Sequence, residues 1–344
     1  MQVSEAAIRE ALKQVKFPGL TRDIVSFGFV RGIKVEGATV SVEIAMTTVN
    51  SEAGPKVEQA ARRVLEALPG VAAVNLAVTA RPPEAAAPPP RLLPGVRYKI
   101  AVASGKGGVG KSTVAANLAI ALKQLGNSVG LLDADIYGPS QQMMMGCRER
   151  PMVNQEEKII PVDGHGVGVM SLGFLVDPDT PVIWRGPMVM KALEQFLGDV
   201  AWGELDFLVV DLPPGTGDAQ LTITQQVPLS GAVIVTTPQD VALIDARKGL
   251  AMFRKVNVPV LGVIENMSAY ICPNCGHREE IFKSGGGRRT AEQLEVPFLG
   301  AIPIDPAIVL GGDAGTPILA SHPESQAAQA FLAIARAVMR QVAG

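Results

Sequence analysis

Residues 104–113 read Ser104-Gly105-Lys106-Gly107-Gly108-Val109-Gly110-Lys111-Ser112-Thr113, and this stretch decides the fold of the chain. It fits the pattern G-x-x-x-x-G-K-[S/T] of a phosphate-binding P-loop. Residues 98–103 before it predict an apolar strand, and residues 114–125 after it, rich in Ala and Leu, predict a helix. We expect that helix to end at Gly126, a residue type favoured just past a helix. A glycine-rich turn that holds a lysine by chance would lack this strand–loop–helix context.

The residue types of the loop follow from the chemistry of a triphosphate. Its oxygens must meet several backbone N–H groups at once, and glycines let the main chain wrap that closely. The start of the next helix adds unpaired amides and the positive end of its dipole. The pattern assigns Lys111 to the β- and γ-phosphates and the hydroxyl of Ser112 to Mg²⁺. The expected ATP-binding residues of the loop are Gly105, Lys106, Gly107, Gly108, Val109, Gly110, Lys111, Ser112 and Thr113.

Carboxylates follow two of the predicted strands. Asp133 and Asp135 come at the end of one strand, and Asp211 ends the next. Ligands bind beyond the carboxyl ends of parallel strands, where carboxylates supply or orient the hard oxygen ligands of Mg²⁺. We expect Asp211 to be the Walker B residue, Asp135 to position the attacking water and Asp133 to contact the waters of Mg²⁺. Helix capping is the alternative for any one aspartate. The loop and these carboxylates predict a Mg²⁺-dependent ATP hydrolase with Lys111, Asp135 and Asp211 as catalytic residues.

Composition places the chain among ordinary globular proteins. Its 344 residues are 47% hydrophobic and 19% charged. A formal net charge of −2 gives no electrostatic footprint for nucleic acid or an anionic membrane. Three cysteines exclude a disulfide scaffold and fit a reducing cytosol. Because neither a signal peptide nor a long apolar run is present, we expect a cytoplasmic protein with no nucleic-acid or membrane partner.

The chain predicts two α/β regions joined by a linker. Residues 1–80 predict a helix–strand–strand–helix–strand order, with the first strand over Ile24–Val30. Residues 81–95 predict a linker, because their proline density favours extended polyproline II. From 96 to 344 strands alternate with helices, and residues 151–175 predict an inserted hairpin. The predicted fold class is therefore α/β, a P-loop NTPase with a mainly parallel sheet flanked by helices and preceded by a small α/β domain.

An additional lysine near the start of the loop, Lys106, makes it unusual. The form G-K-G-G-V-G-K-S-T resembles the deviant Walker A loop of the MinD/ParA/NifH/ArsA group of dimeric ATPases. The resemblance implies a homodimer in which Lys106 is a further catalytic residue that crosses the interface onto the partner's nucleotide, like an arginine finger supplied in trans. An exposed, solvated loop lysine is the plainer alternative.

The N-terminal region carries a second resemblance. The segment Arg22-Asp23-Ile24-Val25-Ser26-Phe27-Gly28 and the turn Leu68-Pro69-Gly70-Val71 resemble the small domain of iron–sulfur assembly factors of the SufT/PaaD type. That domain usually has a cysteine just after its Thr-Thr turn, whereas this chain has Thr47-Thr48-Val49-Asn50-Ser51 there. The resemblance therefore implies the fold and a docking role, without a catalytic or metal role.

Five longer motifs follow the P-loop in a consistent order. They are Asp133–Ser140, Trp184–Pro187, Asp211–Asp218, Glu265–Ser268 and Cys272–Gly276. Over residues 97–344 the chain is similar to the Mrp/ApbC family, described as cytosolic iron–sulfur cluster carriers that bind and hydrolyse ATP. The resemblance implies that Asn266 lies near adenine, that Asp135 and Ser140 belong to a first switch, and that Gly215–Asp218 form a second. It also implies apo iron–sulfur proteins and other assembly factors as partners.

Cys272 and Cys275 form a C-x-x-C pair. This spacing lets two thiolates face one metal centre, and iron–sulfur clusters and structural zinc are its usual occupants. His277 is a marginal further ligand for zinc. A [4Fe–4S] cluster takes four thiolates, so a two-fold dimer would complete it with the same pair from each chain. The third cysteine, Cys147, is expected to be a small buried hydrophobe.

Three functions compete on these residues. The first is a homodimeric ATPase that assembles a [4Fe–4S] cluster or transfers it to apo-proteins. The second is a MinD/ParA-like spatial-organisation ATPase with zinc at its C-x-x-C pair, which predicts a basic surface or a cationic tail. The third is a reductase like the nitrogenase iron protein, whose cluster cysteines lie far apart in sequence. The adjacent pair of cysteines and the composition favour the carrier.

Overall fold

The computed structural model describes residues 3–18, 22–47, 53–81, 93–175, 186–272 and 274–343. The chain divides into two units, Met1–Arg91 and Leu92–Gly344. Most of the predicted linker lies outside the described residues, so the bounds 1–80, 81–95 and 96–344 stay a prediction. The segment that lacks the expected cysteine and the pair Trp184 and Arg185 also lie outside them.

The smaller unit is a three-stranded sheet with two helices. Its elements are α1 (Glu5–Leu12), β1 (Val30–Glu36), β2 (Thr39–Thr47), α2 (Ala53–Glu66) and β3 (Ala73–Arg81). The predicted order of helices and strands is confirmed. Strand β2 pairs antiparallel with β1 and parallel with β3. Apolar side chains of both helices and the sheet form one core, in which Ile8, Leu12, Ile44 and Leu65 are fully buried.

The prediction of a first strand over Ile24–Val30 is wrong. Residues 23–28 form a turn, because one carboxylate oxygen of Asp23 accepts the backbone N–H groups of Val25 at 3.0 Å and Ser26 at 2.7 Å. Such side-chain bonds compete with strand pairing. Ile24 is fully buried within the turn. An apolar residue is therefore required there, and the segment has the alternation of apolar residues that is typical of a strand.

Within the residues that the structure describes, the larger unit contains nine α-helices and ten strands. In chain order they are β4 (Val96–Ser104), α3 (Lys111–Gln124), β5 (Val129–Asp133), α4 (Gln141–Met144), β6 (Val162–Gly164), β7 (Val167–Ser171), α5 (Gly186–Gly198), β8 (Leu205–Asp211), α6 (Asp218–Gln226), β9 (Gly231–Thr236), α7 (Asp240–Lys255), β10 (Val260–Glu265), β11 (Tyr270–Ile271), β12 (Arg278–Glu279), α8 (Gly286–Gln293), β13 (Phe298–Ala301), α9 (Pro306–Ala314), α10 (Ile318–Ser321) and α11 (Gln326–Ala343).

Eight of these strands form one sheet in the order β13-β10-β9-β4-β8-β5-β7-β6. Every neighbouring pair is parallel except β6 and β7, which form the antiparallel hairpin predicted within residues 151–175. All residues of β5 and β9 are buried, as expected for strands covered on both faces. Strand β4 lies between β8 and β9, so the P-loop follows a strand in the interior of the sheet.

Helix α3 is apolar around its whole circumference. Every residue from Val114 to Leu122 is buried, including Asn117, whose side-chain amide bonds the carbonyl of Thr113 at 2.9 Å. A helix of this composition is stable only inside a core, and α3 packs against both α11 and the sheet. The start of α3 is thereby fixed at the carboxyl end of the sheet. Among the described residues, no helix has the length and apolarity needed to cross a membrane.

Candidate functional site

The P-loop runs from the end of β4 to the start of α3. Gly110 is the residue before the first turn of α3 and has φ +79°, a left-handed conformation that glycine adopts without strain. A Cβ on Gly105 would collide with the backbone of Asp245 in α7. The loop therefore requires glycine at both positions, for conformation at Gly110 and for close packing at Gly105.

A cavity of about 230 Å³ lies over this loop. Its lining residues are Ser104, Lys106, Gly107, Gly108, Gly110, Lys111, Ser112, Thr113, Asp135 and Pro214. The cavity thus brings most of the predicted loop residues together with Asp135. The side chain of Val109 is buried and does not line the cavity. Asp211 does not line it either, but it is ion-paired with Lys111, which does.

The ammonium of Lys111 lies among three oxygen groups. It is ion-paired with the carboxylate of Asp211 and lies 3.5 Å from Oδ2 of Asp135 and 3.2 Å from Oγ of Ser112. Lys111 is only 6% exposed and Asp211 is fully buried, so these charges are compensated within the protein. Lys111 therefore neutralises Asp211, the predicted Walker B residue, and Asp135, the residue predicted to position the attacking water.

The same donors suit a divalent cation. A serine hydroxyl and two carboxylates are hard oxygen ligands of the kind that Mg²⁺ binds, and in this structure the ammonium of Lys111 is the cation that they surround. The donors of Ser112 and Asp211, with the carboxylate of Asp135 beside them, therefore have the chemistry that a Mg²⁺ ion would need.

The two aspartates after β5 have different surroundings. Burial raises the pKa of Asp135, although the nearby ammonium of Lys111 lowers it. Burial and the charge of Asp211 raise the pKa of Asp133 to about 7, against hydrogen bonds from Gln141 and Ser171 that lower it. A buried carboxyl with a raised pKa beside a nucleotide cavity marks a functional site.

Asp133 organises the segment that follows it. Its Oδ2 accepts the N–H groups of Ser140 at 2.9 Å and Gln141 at 3.0 Å and the hydroxyl of Ser171 at 2.9 Å, while Oδ1 accepts the N–H of Asp135 at 3.1 Å. Both carboxylate oxygens are thus engaged with the protein. Asp133 holds the backbone between Asp135 and Gln141 in place, so it positions Asp135 over the cavity.

The end of β10 contacts the P-loop through Asn266. The side-chain nitrogen of Asn266 donates to the carbonyl of Val109 at 2.9 Å, and a Cβ on Gly110 would collide with that nitrogen. The adjacent Glu265 is 1% exposed and accepts the N–H groups of Gly285 at 3.0 Å and Gly287 at 2.6 Å, at the start of α8. Neighbouring residues of one strand end therefore hold the P-loop and α8. A contact of Asn266 with adenine stays a prediction.

Lys106 is half-buried and lines two cavities. Besides the nucleotide cavity it borders a second one of about 490 Å³, whose other lining residues are Gln239, Asp240, Val241, Ile281, Phe282 and Lys283. Across the ranges that the structure describes, no salt bridge involves the ammonium of Lys106. Its position between the cavities is compatible with the predicted role in trans, which stays a prediction.

The two cysteines of the C-x-x-C pair lie at the tip of a small hairpin. Strands β11 and β12 pair antiparallel, and the N–H of Cys272 donates to the carbonyl of His277 at 2.9 Å. Cys272 is half-buried and Cys275 is exposed. Backbone N–H groups of Cys275 and Asn274 donate to the sulfur of Cys272 and lower its pKa. The loop therefore stabilises a thiolate, which is the form that ligates metals.

The structure places no further metal ligands beside the cysteine pair among the residues that it describes. Within the described residues, no group of three or more His, Cys, Asp and Glu side chains is arranged to hold one metal ion. Cys147 is 8% exposed, and burial raises the pKa of its thiol to about 11. It packs beside Met145 and Gly164 as the small buried hydrophobe that the sequence predicts.

Three residues at the site were not predicted. Gln141 contacts Asp211, Ser171 contacts Asp133, and Glu265 caps the start of α8. Gln141 left a weak signal, as a polar residue at the start of a methionine-rich segment, and Glu265 begins the motif Glu265–Ser268. The contacts of all three residues are to partners on other elements of the chain, so the sequence does not show them.

A glycine-rich loop that leaves a central parallel strand, with an embedded lysine and carboxylates at neighbouring strand ends, defines a P-loop nucleoside triphosphatase. The family model of the NUBPL iron-transfer P-loop NTPases matches residues 95–339. The chain belongs to this family. A model described as an iron–sulfur cluster assembly protein matches residues 5–76. The predicted likeness to iron–sulfur carriers with an assembly-type N-terminal domain is therefore confirmed.

Similar proteins include a curated relative that covers nearly the whole chain and solved structures that cover part of it. An iron–sulfur cluster carrier protein from a Synechocystis species is 47% identical over 98% of this chain and 97% of its own length. A nucleotide-binding protein from Archaeoglobus fulgidus, solved in complex with ADP, is 42% identical with a TM-score of 0.59, over 65% of this chain and 88% of that one. The cell division ATPase MinD from Pyrococcus furiosus is 26% identical with a TM-score of 0.55, over 71% of this chain and 98% of that one. These likenesses confirm the predicted fold class.

Proposed function

We propose that the chain is an ATP-hydrolysing carrier that binds a [4Fe–4S] cluster between two copies of itself and delivers it to apo-proteins. The observation that carries the proposal is the thiolate-stabilising hairpin of Cys272 and Cys275, presented at the surface of a P-loop NTPase. The name of the Synechocystis relative, an iron–sulfur cluster carrier protein, agrees with it. The cytoplasm, where thiols stay reduced, is the compartment that this chemistry requires.

The exposure of the cysteine pair supports a cluster that is carried and released rather than a permanent structural zinc ion. A structural zinc site is normally closed by four ligands of one chain, whereas this hairpin offers a half-buried Cys272 and an exposed Cys275. Two such hairpins related by a two-fold axis supply the four thiolates of a cubane cluster. A cluster shared by two chains is released when they separate, because each chain then keeps only half of the ligands.

ATP hydrolysis uses the residues around the nucleotide cavity. Lys111 leaves the carboxylates for the β- and γ-phosphates, and the Asp135 carboxylate orients the attacking water. Ser112 and Asp211 are the residues that would hold Mg²⁺. When bound, Mg²⁺ supplies neutralisation of charge on the phosphate oxygens. Lys106 of one chain reaches the nucleotide of the other, so hydrolysis requires the closed dimer. One symmetry axis then serves both the nucleotide and the cluster.

Residues 1–80 act as a docking domain for partners, joined by the linker 81–95 to the ATPase region 96–344. The fold of an assembly-type domain is present, but the position at which such domains carry a cysteine holds none in this sequence. Its partners are apo iron–sulfur proteins and other assembly factors. Nucleic acid and membrane surfaces are not among them, since the formal net charge is −2.

Anaerobic reconstitution of the full chain with iron and sulfide tests the proposal. We expect about four iron and four sulfide per dimer, a charge-transfer absorption band, and transfer to an apo-ferredoxin. Cys272→Ser and Cys275→Ser should abolish cluster binding while ATP binding persists. The matched control is Cys147→Ser, which removes a thiol that is buried away from the hairpin. A stable cluster on the double Cys272/Cys275 variant would overturn the assignment, as would one tightly bound zinc per monomer under the same conditions.

A further inference from the structure

Gln141 is a buried polar residue that links two parts of the nucleotide site. It is the first residue of α4 and is fully buried. Its side-chain nitrogen donates to Oδ2 of Asp211 at 2.7 Å and to the backbone carbonyl of Ser112 at 3.0 Å. One amide group therefore joins the loop after β5, the Walker B candidate and the start of α3.

The surroundings of Asp211 show why an uncharged donor matters. Among the described residues, its carboxylate accepts side-chain hydrogen bonds from two donors, Lys111 on Oδ1 and Gln141 on Oδ2. Lys111 must leave when it engages phosphate, and an ammonium beside a divalent cation would be repelled. A neutral amide has no such repulsion, so Gln141 remains the donor that fixes Asp211 once a cation is bound.

The side-chain oxygen of Gln141 indicates that this residue does more than fill space. Within the described part of the chain, Oε1 of Gln141 is buried and has no hydrogen-bond partner. An unpaired buried amide oxygen is unfavourable, whereas a methionine of similar length would fill the same space without a polar atom. The donor function of Gln141 outweighs this cost only if the contact with Asp211 matters at the site.

We infer that Gln141 is a positioning residue for the magnesium-binding carboxylate: it holds Asp211 in the orientation that binds the cation of Mg²⁺–ATP after Lys111 has moved to the phosphates. The inference rests on the proposed function, because it requires that the P-loop binds ATP with Mg²⁺. It places Gln141 outside the groups that touch the reacting atoms, since its action passes through Asp211.

The test is the Mg²⁺ dependence of ATP binding, measured with a fluorescent ATP analogue on the full chain. In Gln141→Met the half-saturating Mg²⁺ concentration should rise about tenfold, the effect of losing one hydrogen bond to a buried charge. Binding in EDTA should stay within about twofold of wild type, because Asp211 then has no cation to bind and the other contact of the amide is to a backbone carbonyl within α3. The matched control is Gln142→Met, the same change at the next residue, which has no contact with Asp211 and should keep the wild-type Mg²⁺ dependence.

A double-mutant cycle tests whether Gln141 acts through Asp211. In an Asp211→Asn background, Gln141→Met should cause no further change in Mg²⁺ dependence. Should Gln141→Met fail to fold, Gln141→Ala, which cannot overpack the site, replaces it with the same expectation. Wild-type Mg²⁺ dependence in a folded variant, or full additivity in the cycle, overturns the inference alone. A wild-type chain that binds no ATP with Mg²⁺ overturns the proposed function and this inference together.

Discussion

The side-chain nitrogen of Asn266 lies 2.9 Å from the carbonyl oxygen of Val109, so the end of β10 is hydrogen-bonded to the P-loop. The contact faces Gly110, where a Cβ would collide with the same nitrogen. The conformation of the loop and the position of this strand end are thus mutually dependent. Four residues further along, β11 begins the hairpin that carries the cysteine pair.

Asn266→Asp should weaken ATP binding by about tenfold, because an oxygen replaces the donor and faces the Val109 carbonyl. Equilibrium titration with a fluorescent ATP analogue measures the effect. Asn127→Asp is the control, since Asn127 makes an equivalent 2.9 Å bond to the carbonyl of Leu122 away from the cavity. Equal ATP affinity in Asn266→Asp and Asn127→Asp would contradict a role of this contact in the loop.

Lys106→Ala should separate binding from hydrolysis. If Lys106 acts on the nucleotide of the partner chain, turnover should fall by about 10³-fold while ATP affinity of the single chain is retained. Turnover is measured by phosphate release and affinity by titration at a protein concentration that keeps the chain monomeric. Lys248→Ala, an exposed lysine of α7 paired with Asp245, serves as the control. A loss of affinity as large as the loss of turnover would show that Lys106 acts within its own subunit.

The sequence specified the strand, loop and lysine of the nucleotide site, because the P-loop is a local motif whose chemistry prescribes residue types. The cysteine pair was predictable for the same reason. Gln141 and Glu265 were not, since their partners Asp211 and Gly287 lie far along the chain and meet them only in the folded sheet. The error at Ile24–Val30 has a different cause. The side-chain bonds of Asp23 form a turn there, and the apolar residues of this turn alternate as they would in a strand.

The raised pKa of Asp133 predicts a pH dependence of stability. An unfolded chain releases this proton near the ordinary value of 3.8, whereas the folded protein keeps it until about pH 7. The folded state therefore binds more protons in this window, and the free energy of unfolding falls as pH rises through it. Asp133→Asn has no proton to lose at this position, so its unfolding free energy should fall less steeply with pH. The two slopes should differ by at most about 1.4 kcal/mol per pH unit.

Denaturant titrations at several pH values measure this slope. Both tryptophans, Trp184 and Trp202, belong to the unit Leu92–Gly344, so their fluorescence reports unfolding of the part that contains Asp133. Asp206→Asn is the control, because hydrogen bonds from Ser128 lower the pKa of Asp206 and it is ionised in both states across the window. Parallel slopes for wild type and Asp133→Asn would contradict the prediction.

Glu265→Gln should loosen the start of α8 while replacing no ligand of either proposed binding site. Both carboxylate oxygens of Glu265 accept backbone N–H groups, from Gly285 and Gly287, and the side chain is 1% exposed. A glutamine presents an NH₂ group to one of these donors, which leaves a buried N–H unpaired and costs about 1–3 kcal/mol of unfolding free energy. The strain is local, so hydrogen exchange should increase first in residues 284–293.

Glu292→Gln makes the same chemical change at an exposed position of α8 and should leave exchange and stability at wild-type values. The cysteine hairpin ends only a few residues before Gly285. Faster exchange at α8 should therefore be accompanied by faster alkylation of Cys272 and Cys275 in the ATP-free protein, read by mass spectrometry. Unchanged exchange over 284–293 in Glu265→Gln would show that the glycine backbone holds α8 without the carboxylate. Faster exchange with unchanged alkylation would show that the hairpin is held independently of α8.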